Sequence, residues 1–214
     1  MNSIIATEHE AAGLAAGRVT LLVRPVPLDM IHDWDENGPW TMDHFGDYHR
    51  TTEYSPWQPG NTYAVREKCA IGFCDSYDLA IDYHADGKRG VFETDTPAKV
   101  QACAGWINDN PRSAAQMPLW AARTRVEVVN VACVRLQDVT EEQAIASGVR
   151  STRLLGGTCT VWSVETYPTP DIWDTALLAF KSYWDRKHSI DPFVRNDWVW
   201  LISVKSASTG VEIL

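Results

Sequence analysis

The sequence has no apolar run near the roughly 20 residues an α-helix needs to cross a bilayer, so no helical membrane span is expected. It is also short of cations: 19 Lys and Arg stand against 28 Asp and Glu, a net charge of −9. Generic duplex binders exchange counterions for Lys and Arg over a broad surface, so non-specific binding to duplex DNA is not expected. A single nucleotide in a small basic cleft stays compatible with the charge, because a local field can oppose the net one. No CxxC pair occurs, and the cysteine count, five, is odd, which fits reduced thiols rather than a disulfide framework. The start, Met1-Asn2-Ser3-Ile4-Ile5, lacks the basic region and apolar core of a signal peptide, so a cytoplasmic location is expected. No internal repeat or low-complexity tract appears.

What the chain does have is tryptophan, ten in 214 residues. Large rings fill a sheet-rich core. The sharper use of an indole is a platform on which a base stacks. Thr7-Glu8-His9-Glu10 is a capping box ahead of Ala11, Ala12 and Leu14, and Gly17 stands where a helix ends in the left-handed region. Val19 to Val23 then reads as a strand closed by Pro25. Residues 29–57 are rich in Asp, His, Trp and Gly and read as an irregular excursion. There His44 and His49 lie five apart without a cysteine pair, so solvated loop residues are expected rather than a zinc site. No metal or cofactor is expected elsewhere either.

Asn61 to Glu67 returns to strand. Tyr77–Ala85 and Lys88–Glu93 flank Asp86-Gly87, a hairpin signal. Residues 94–108 read as a helix capped by Thr96 with Pro97 at its first position. Arg123 to Leu136 is the longest strand, with a bulge near Asn130. Thr140 and Gln143 form a second capping box for a helix ended by Gly148. Thr158–Glu165 reads as a hairpin strand. Asp171–His188 is the longest helix, with Ile172, Ala176, Leu177, Phe180 and Trp184 on its apolar face. The run from Trp198 to Val204 is apolar on both faces and should be a central strand.

Four stretches carry a resemblance. Gly17-Arg18-Val19-Thr20-Leu21-Leu22-Val23-Arg24 is similar to the signature turn of the ASCH family. Pro59-Gly60-Asn61-Thr62-Tyr63-Ala64-Val65-Arg66-Glu67 resembles its next strand. Met117-Pro118-Leu119-Trp120-Ala121-Ala122-Arg123, running on to Val134-Arg135-Leu136-Gln137-Asp138, resembles its third block. Asn196-Asp197-Trp198-Val199-Trp200 resembles its closing strand. The order matches over most of the chain, and the likeness is greatest to ASCH-like proteins of bacteriophages and prophages. The resemblance implies an α+β fold: a PUA-like/ASCH β-barrel in one domain over 1–214, with short flanking helices and one longer C-terminal helix. Elaborations would lie near 29–57 and 150–190. For a phage protein the implied location is the host cytoplasm.

Some small ASCH proteins are amidohydrolases that remove the acyl group from N4-acetylcytidine, which implies a Lys, a Thr three residues on and a Glu. Those positions fall here on Val19, Leu22 and about Ser147. None of the three supplies the family's group, so the resemblance carries the fold and argues against that activity. The implied ligand cleft lies beside the turn, which makes Arg18, Thr20, Arg24, Arg66, Glu67, Lys68 and Arg123 the candidate binding residues, with Trp57 and Trp120 as stacking candidates. An arginine fork suits phosphate, carboxylate or a base edge. Arg24 and Arg66 are equally open to structural ion pairing with Glu67 or Glu127, and Arg123 is expected to pair that way. Cys69 and Cys74 are expected to be inert buried thiols, despite Lys68 beside the first. The expected function is recognition of RNA or a modified nucleoside. The alternatives are an N4-acylcytidine amidohydrolase with altered machinery, and a phage protein that binds a basic host protein through its acidic surface.

Overall fold

The computed structural model describes residues 3–73, 78–92, 101, 107, 110–154, 159–164, 171–188, 192–207 and 212–213. The protein is α+β and mostly sheet, with three helices among the described residues, the longest near the C-terminus. The described strands form open sheets; no closed barrel is found among them. The chain gathers into two compact units, one of residues 1–17, 62–127 and 205–214, the other of 18–61 and 128–204. No described helix is long and apolar enough to cross a membrane.

In the first unit β1 (Ser3–Ile5) pairs parallel with β6 (Thr62–Arg66), and β6 pairs antiparallel with the start of β10 (Arg125–Arg135). Helix α1 (Glu8–Ala15) starts at the expected capping box: the Thr7 hydroxyl accepts from the Glu10 N–H, and the Glu10 carboxylate accepts from the Thr7 N–H at 2.9 Å. Gly17 takes the left-handed φ of +67° beyond it. A second sheet has the order β14-β9-β8-β7, from β7 (Cys69–Phe73), β8 (Leu79–Tyr83), β9 (Arg89–Phe92) and β14 (Glu212–Ile213). Asp86-Gly87 turns β8 into β9 as expected, with Gly87 at φ +70°. Strand β7, an apolar run, is an addition to the sequence reading. Ile71, Leu79, Ile81, Met117 and Ala121 form this unit's core.

In the second unit β13 (Trp198–Ala207) pairs antiparallel with β2 (Leu21–Pro25), which begins two residues later than expected. Trp198 to Ile202 are all buried, as a central strand requires. Residues 29–57 are not an irregular excursion. They fold as an antiparallel sheet of β3 (Asp33–Asp35), β4 (Gly38–Met42) and β5 (Tyr48–Arg50), flanked by 3₁₀ turns at Leu28–Met30 and Thr51–Tyr54. Strands this short leave too little alternation for a pattern to register.

Helix α2 (Glu141–Ala146) has the Thr140–Gln143 capping box, and Gly148 ends it at φ +109°. Strand β11 (Arg150–Leu154) pairs with β12 (Cys159–Ser163), which places the expected hairpin strand and adds a partner whose polar sequence gave no strand signal. Helix α3 (Ala176–Lys187) starts five residues later than expected, capped by Thr175. Ile172 is therefore outside the helix and exposed, while Ala176, Phe180 and Trp184 hold the buried face. The delay has a tertiary cause. The Glu141 carboxylate accepts from the Ala176 N–H at 2.6 Å and the Leu177 N–H at 3.0 Å, so α2 sets where α3 begins. Apart from Gln101 and Ile107, the expected helix over 94–108, with Thr96 and Pro97, lies outside the described residues, as does the Cys74 thiol.

Candidate functional site

The second unit carries a cleft of about 490 Å³ at the entry to β2, within the usual size range for small-ligand sites. Thr20 stands at its mouth. Its N–H donates to the Ala146 carbonyl at the end of α2 (3.0 Å), and its own carbonyl accepts from the Val204 N–H on β13 (2.9 Å). The backbone is therefore pinned from both sides while the side chain stays exposed. Glu142 and Gln143 enter from the first turn of α2, Asn130 from β10 and Ser203 from β13. Leu21, Ala132, Leu201 and Val204 supply the apolar wall. Asn130 is available because burial alternation breaks there: Val129 and Asn130 are exposed in succession, the mark of the expected irregularity.

Glu142 is the one charged group among the described lining residues. Its own backbone N–H, and then the Thr140 hydroxyl, hold its carboxyl below the usual carboxylate range, so it lines the cleft as an anion. The set can accept hydrogen bonds at Glu142 and both donate and accept at Asn130, Thr20 and Ser203. Two cations of the same unit feel each other's charge. The Arg150 guanidinium is lowered from its ordinary value by burial and then by the charge of Arg18, which is itself exposed.

Of the residues expected at a binding site, Thr20 lines this cleft. Arg24 does not. It stands opposite Trp200 on the face of the β2–β13 pair away from Leu21, Leu201 and Ser203, and donates to the Val23 carbonyl at 2.9 Å. Trp57 packs edge-on against Trp200, ring centroids 5.6 Å apart, in the core role. The family's amidohydrolase positions are apolar or bonded: Val19 and Leu22 are buried, and the Ser147 hydroxyl donates to the Ala144 carbonyl at 2.8 Å.

The remaining candidates belong to the first unit, where two of the four resembling blocks meet. Arg123 and Glu67 are both 0% exposed. Nε and Nη2 of Arg123 donate to Oε1 and Oε2 of Glu67, each at 2.8 Å, and Nη1 reaches Asp86 at 2.9 Å. The guanidinium lies 4.2 Å from the centre of the Tyr83 ring. This is the expected ion pair, with both partners closed to a ligand. Burial raises the Glu67 carboxyl, and the Arg123 hydrogen bonds oppose that rise.

Arg66 donates through Nε to the Met117 carbonyl at 2.8 Å and through Nη2 to the Ala115 carbonyl, so it secures the loop ahead of Arg123 rather than an acid. Glu127 pairs instead with Lys205 at 2.9 Å. Lys68 pairs with Glu8 at 3.2 Å, and Trp120 packs at a tilt on Phe92. Cys69 is buried, its thiol pushed up to about 11 by desolvation, which is the inert state expected of it.

Asn130, Glu142, Ser203 and Arg150 were not among the expected site residues. The second capping box brings Glu142 to notice, and the bulge signal Asn130; the other two have no local signature. No protein-family model, curated protein or solved structure matches the chain.

Proposed function

We propose that this is a PUA-like/ASCH-type protein, with a barrel of that family as its ancestral frame, that binds an unpaired nucleotide of RNA or a modified nucleoside. The base enters the cleft beside β2 and the phosphate meets Arg18 and Arg150. The observation that carries the reading is the cleft itself, with a carboxylate and a carboxamide in its lining and, in the same unit, two arginines that feel each other's charge. A carboxylate accepts from the exocyclic amine of cytosine, and a carboxamide pairs with an adjacent edge atom. Guanidinium groups near one another repel, and an anion between them relieves that repulsion.

Binding is favoured over turnover. No lysine lines the cleft among the described residues, and a carboxyl held low at Glu142 is a weak base for activating the Thr20 hydroxyl. The phage origin is part of the same proposal and rests on the resemblance alone.

The test is calorimetric titration with cytidine, N4-acetylcytidine, uridine, cytidine monophosphate and a short single-stranded RNA. Cytidine should bind more tightly than uridine, and Glu142→Gln should remove that preference. Arg18→Gln should weaken the monophosphate and the RNA while leaving cytidine unchanged. Absence of saturable binding by the whole panel, or identical behaviour of Glu142→Gln, would refute the proposal.

A further inference from the structure

The acidic balance of the chain is concentrated. Residues 29–57 hold seven carboxylates and one Lys or Arg, Arg50, and so account for −6 of the net −9. Strand register places Asp33, Asp35, Trp40, Met42, Tyr48 and Arg50 on one face of the β3-β4-β5 sheet, since facing residues share a side and alternate residues return to it. On the other face Pro39 and Thr41 are buried while Trp34 is exposed, and the Thr41 hydroxyl donates to the Met30 carbonyl at 2.8 Å.

On the outward face Met42 and Tyr48 are direct cross-strand neighbours, both exposed, and Phe45 at the turn between them is 79% exposed. Of the exposed carboxylates of this segment, Asp47 lies in the same turn as Phe45, while Asp33, Asp35 and Glu36 follow β3 into its turn to β4. An exposed apolar cluster on an acidic sheet is a recognised mark of an interaction site.

The same face displays the chemistry it would use on a partner. Arg50 lies 3.8 Å over the Trp40 ring and bonds Asp35 through both guanidinium ends, at 2.8 and 3.0 Å. Asp35 is held down at about 2 by that contact. The segment's single guanidinium is thus stacked and forked at once. Phe45 and Tyr48, with Asp47 in the same turn and Glu36 at the opposite end of β4, offer rings and acids of the same kind with no internal cation among the described residues. We infer that the outward face of the β3-β4-β5 sheet docks an arginine-rich segment of a partner protein, its guanidinium groups stacking on Phe45 and Tyr48 and pairing with Glu36 and Asp47. Arginine fits better than lysine because a planar fork both stacks and bridges a carboxylate.

The test is fluorescence anisotropy of labelled oligo-arginine, with oligo-lysine and single-stranded RNA as comparators. The wild type should prefer oligo-arginine, with affinity falling as salt rises. Phe45→Ser/Tyr48→Ser should weaken oligo-arginine about fivefold and oligo-lysine less, the size expected for lost cation–π contacts. Glu36→Gln/Asp47→Asn should weaken it about tenfold at low salt and flatten the salt dependence, as rim charges do. Asp138→Asn/Asp174→Asn removes equal charge from exposed positions elsewhere and should change little; circular dichroism checks that all three variants remain folded. Equal loss in the two charge variants would reduce the effect to net charge and overturn the inference. So would an unchanged Phe45→Ser/Tyr48→Ser variant, a preference for RNA, or no saturable binding. Glu142→Gln should leave peptide binding intact, so the nucleotide proposal and this one fail separately.

Discussion

Replacing Arg123 with Met tests the buried ion pair most directly. The substitution keeps much of the side-chain volume and removes the guanidinium from the fully buried Glu67 carboxylate, which loses both of its 2.8 Å hydrogen bonds. Asp86 suffers less, because its side chain is partly exposed and can hydrate. Breaking a buried pair by removing one partner costs about 3–5 kcal/mol, because an uncompensated charge stays in the interior. For a chain of this size that corresponds to a fall in melting temperature of about 6–20 °C, at 2–4 °C per kcal/mol.

Thermal unfolding followed by circular dichroism reads the effect, and its pH dependence separates the mechanism from simple loss of packing. Burial raises the Glu67 carboxyl, and Arg123 is what opposes that rise. Without Arg123 the folded-state pKa lies further above the unfolded one. Stability is then retained below the ordinary value of 4.5 and lost as pH rises through the raised one. The deficit of Arg123→Met should therefore be smaller at mildly acid than at mildly alkaline pH. Arg123→Met combined with Glu67→Leu should recover most of the loss, since an apolar pair of similar volume is often neutral. A deficit under about 1 kcal/mol, or one independent of pH, would refute the reasoning.

Glu141→Ala should cost about 1–2 kcal/mol by leaving the Ala176 and Leu177 N–H groups without their charged cap. Urea unfolding measures it, and a change below about 0.5 kcal/mol would mean that water caps α3 equally well. Native alkylation at about pH 8 should modify the exposed Cys159 well before Cys69 or Cys133, whose thiols burial pushes up to about 11 and about 12. Site-resolved mass spectrometry reads the order, and equal rates at Cys69 and Cys159 would contradict it.

Local signals in the sequence determined a definite part of this protein. The capping boxes at Thr7 and Thr140, the left-handed Gly17 and Gly148, the Asp86-Gly87 turn, the long β10 and the buried β13 all lie where short-range chemistry puts them. Each depends on a few neighbouring residues: a hydroxyl three positions from an N–H, a missing Cβ, or apolar residues on both strand faces. The Glu67–Arg123 pair was legible only as a possibility, because 56 residues separate its members and many acids were available to either arginine block.

Tertiary structure alone decided the rest. The pattern over Asp171–His188 runs smoothly into a helix, yet α3 waits for the Glu141 cap, 35 positions earlier in the chain. The 29–57 segment becomes a sheet because three short strands find one another, a cooperative pairing that no strand signals alone. The cleft draws Thr20, Asn130, Glu142 and Ser203 from the entry to β2, the middle of β10, the start of α2 and the middle of β13. Sequence spacing carries no record of that meeting, because it is made by register between strands and by the one hydrogen bond that ties Thr20 to the end of α2.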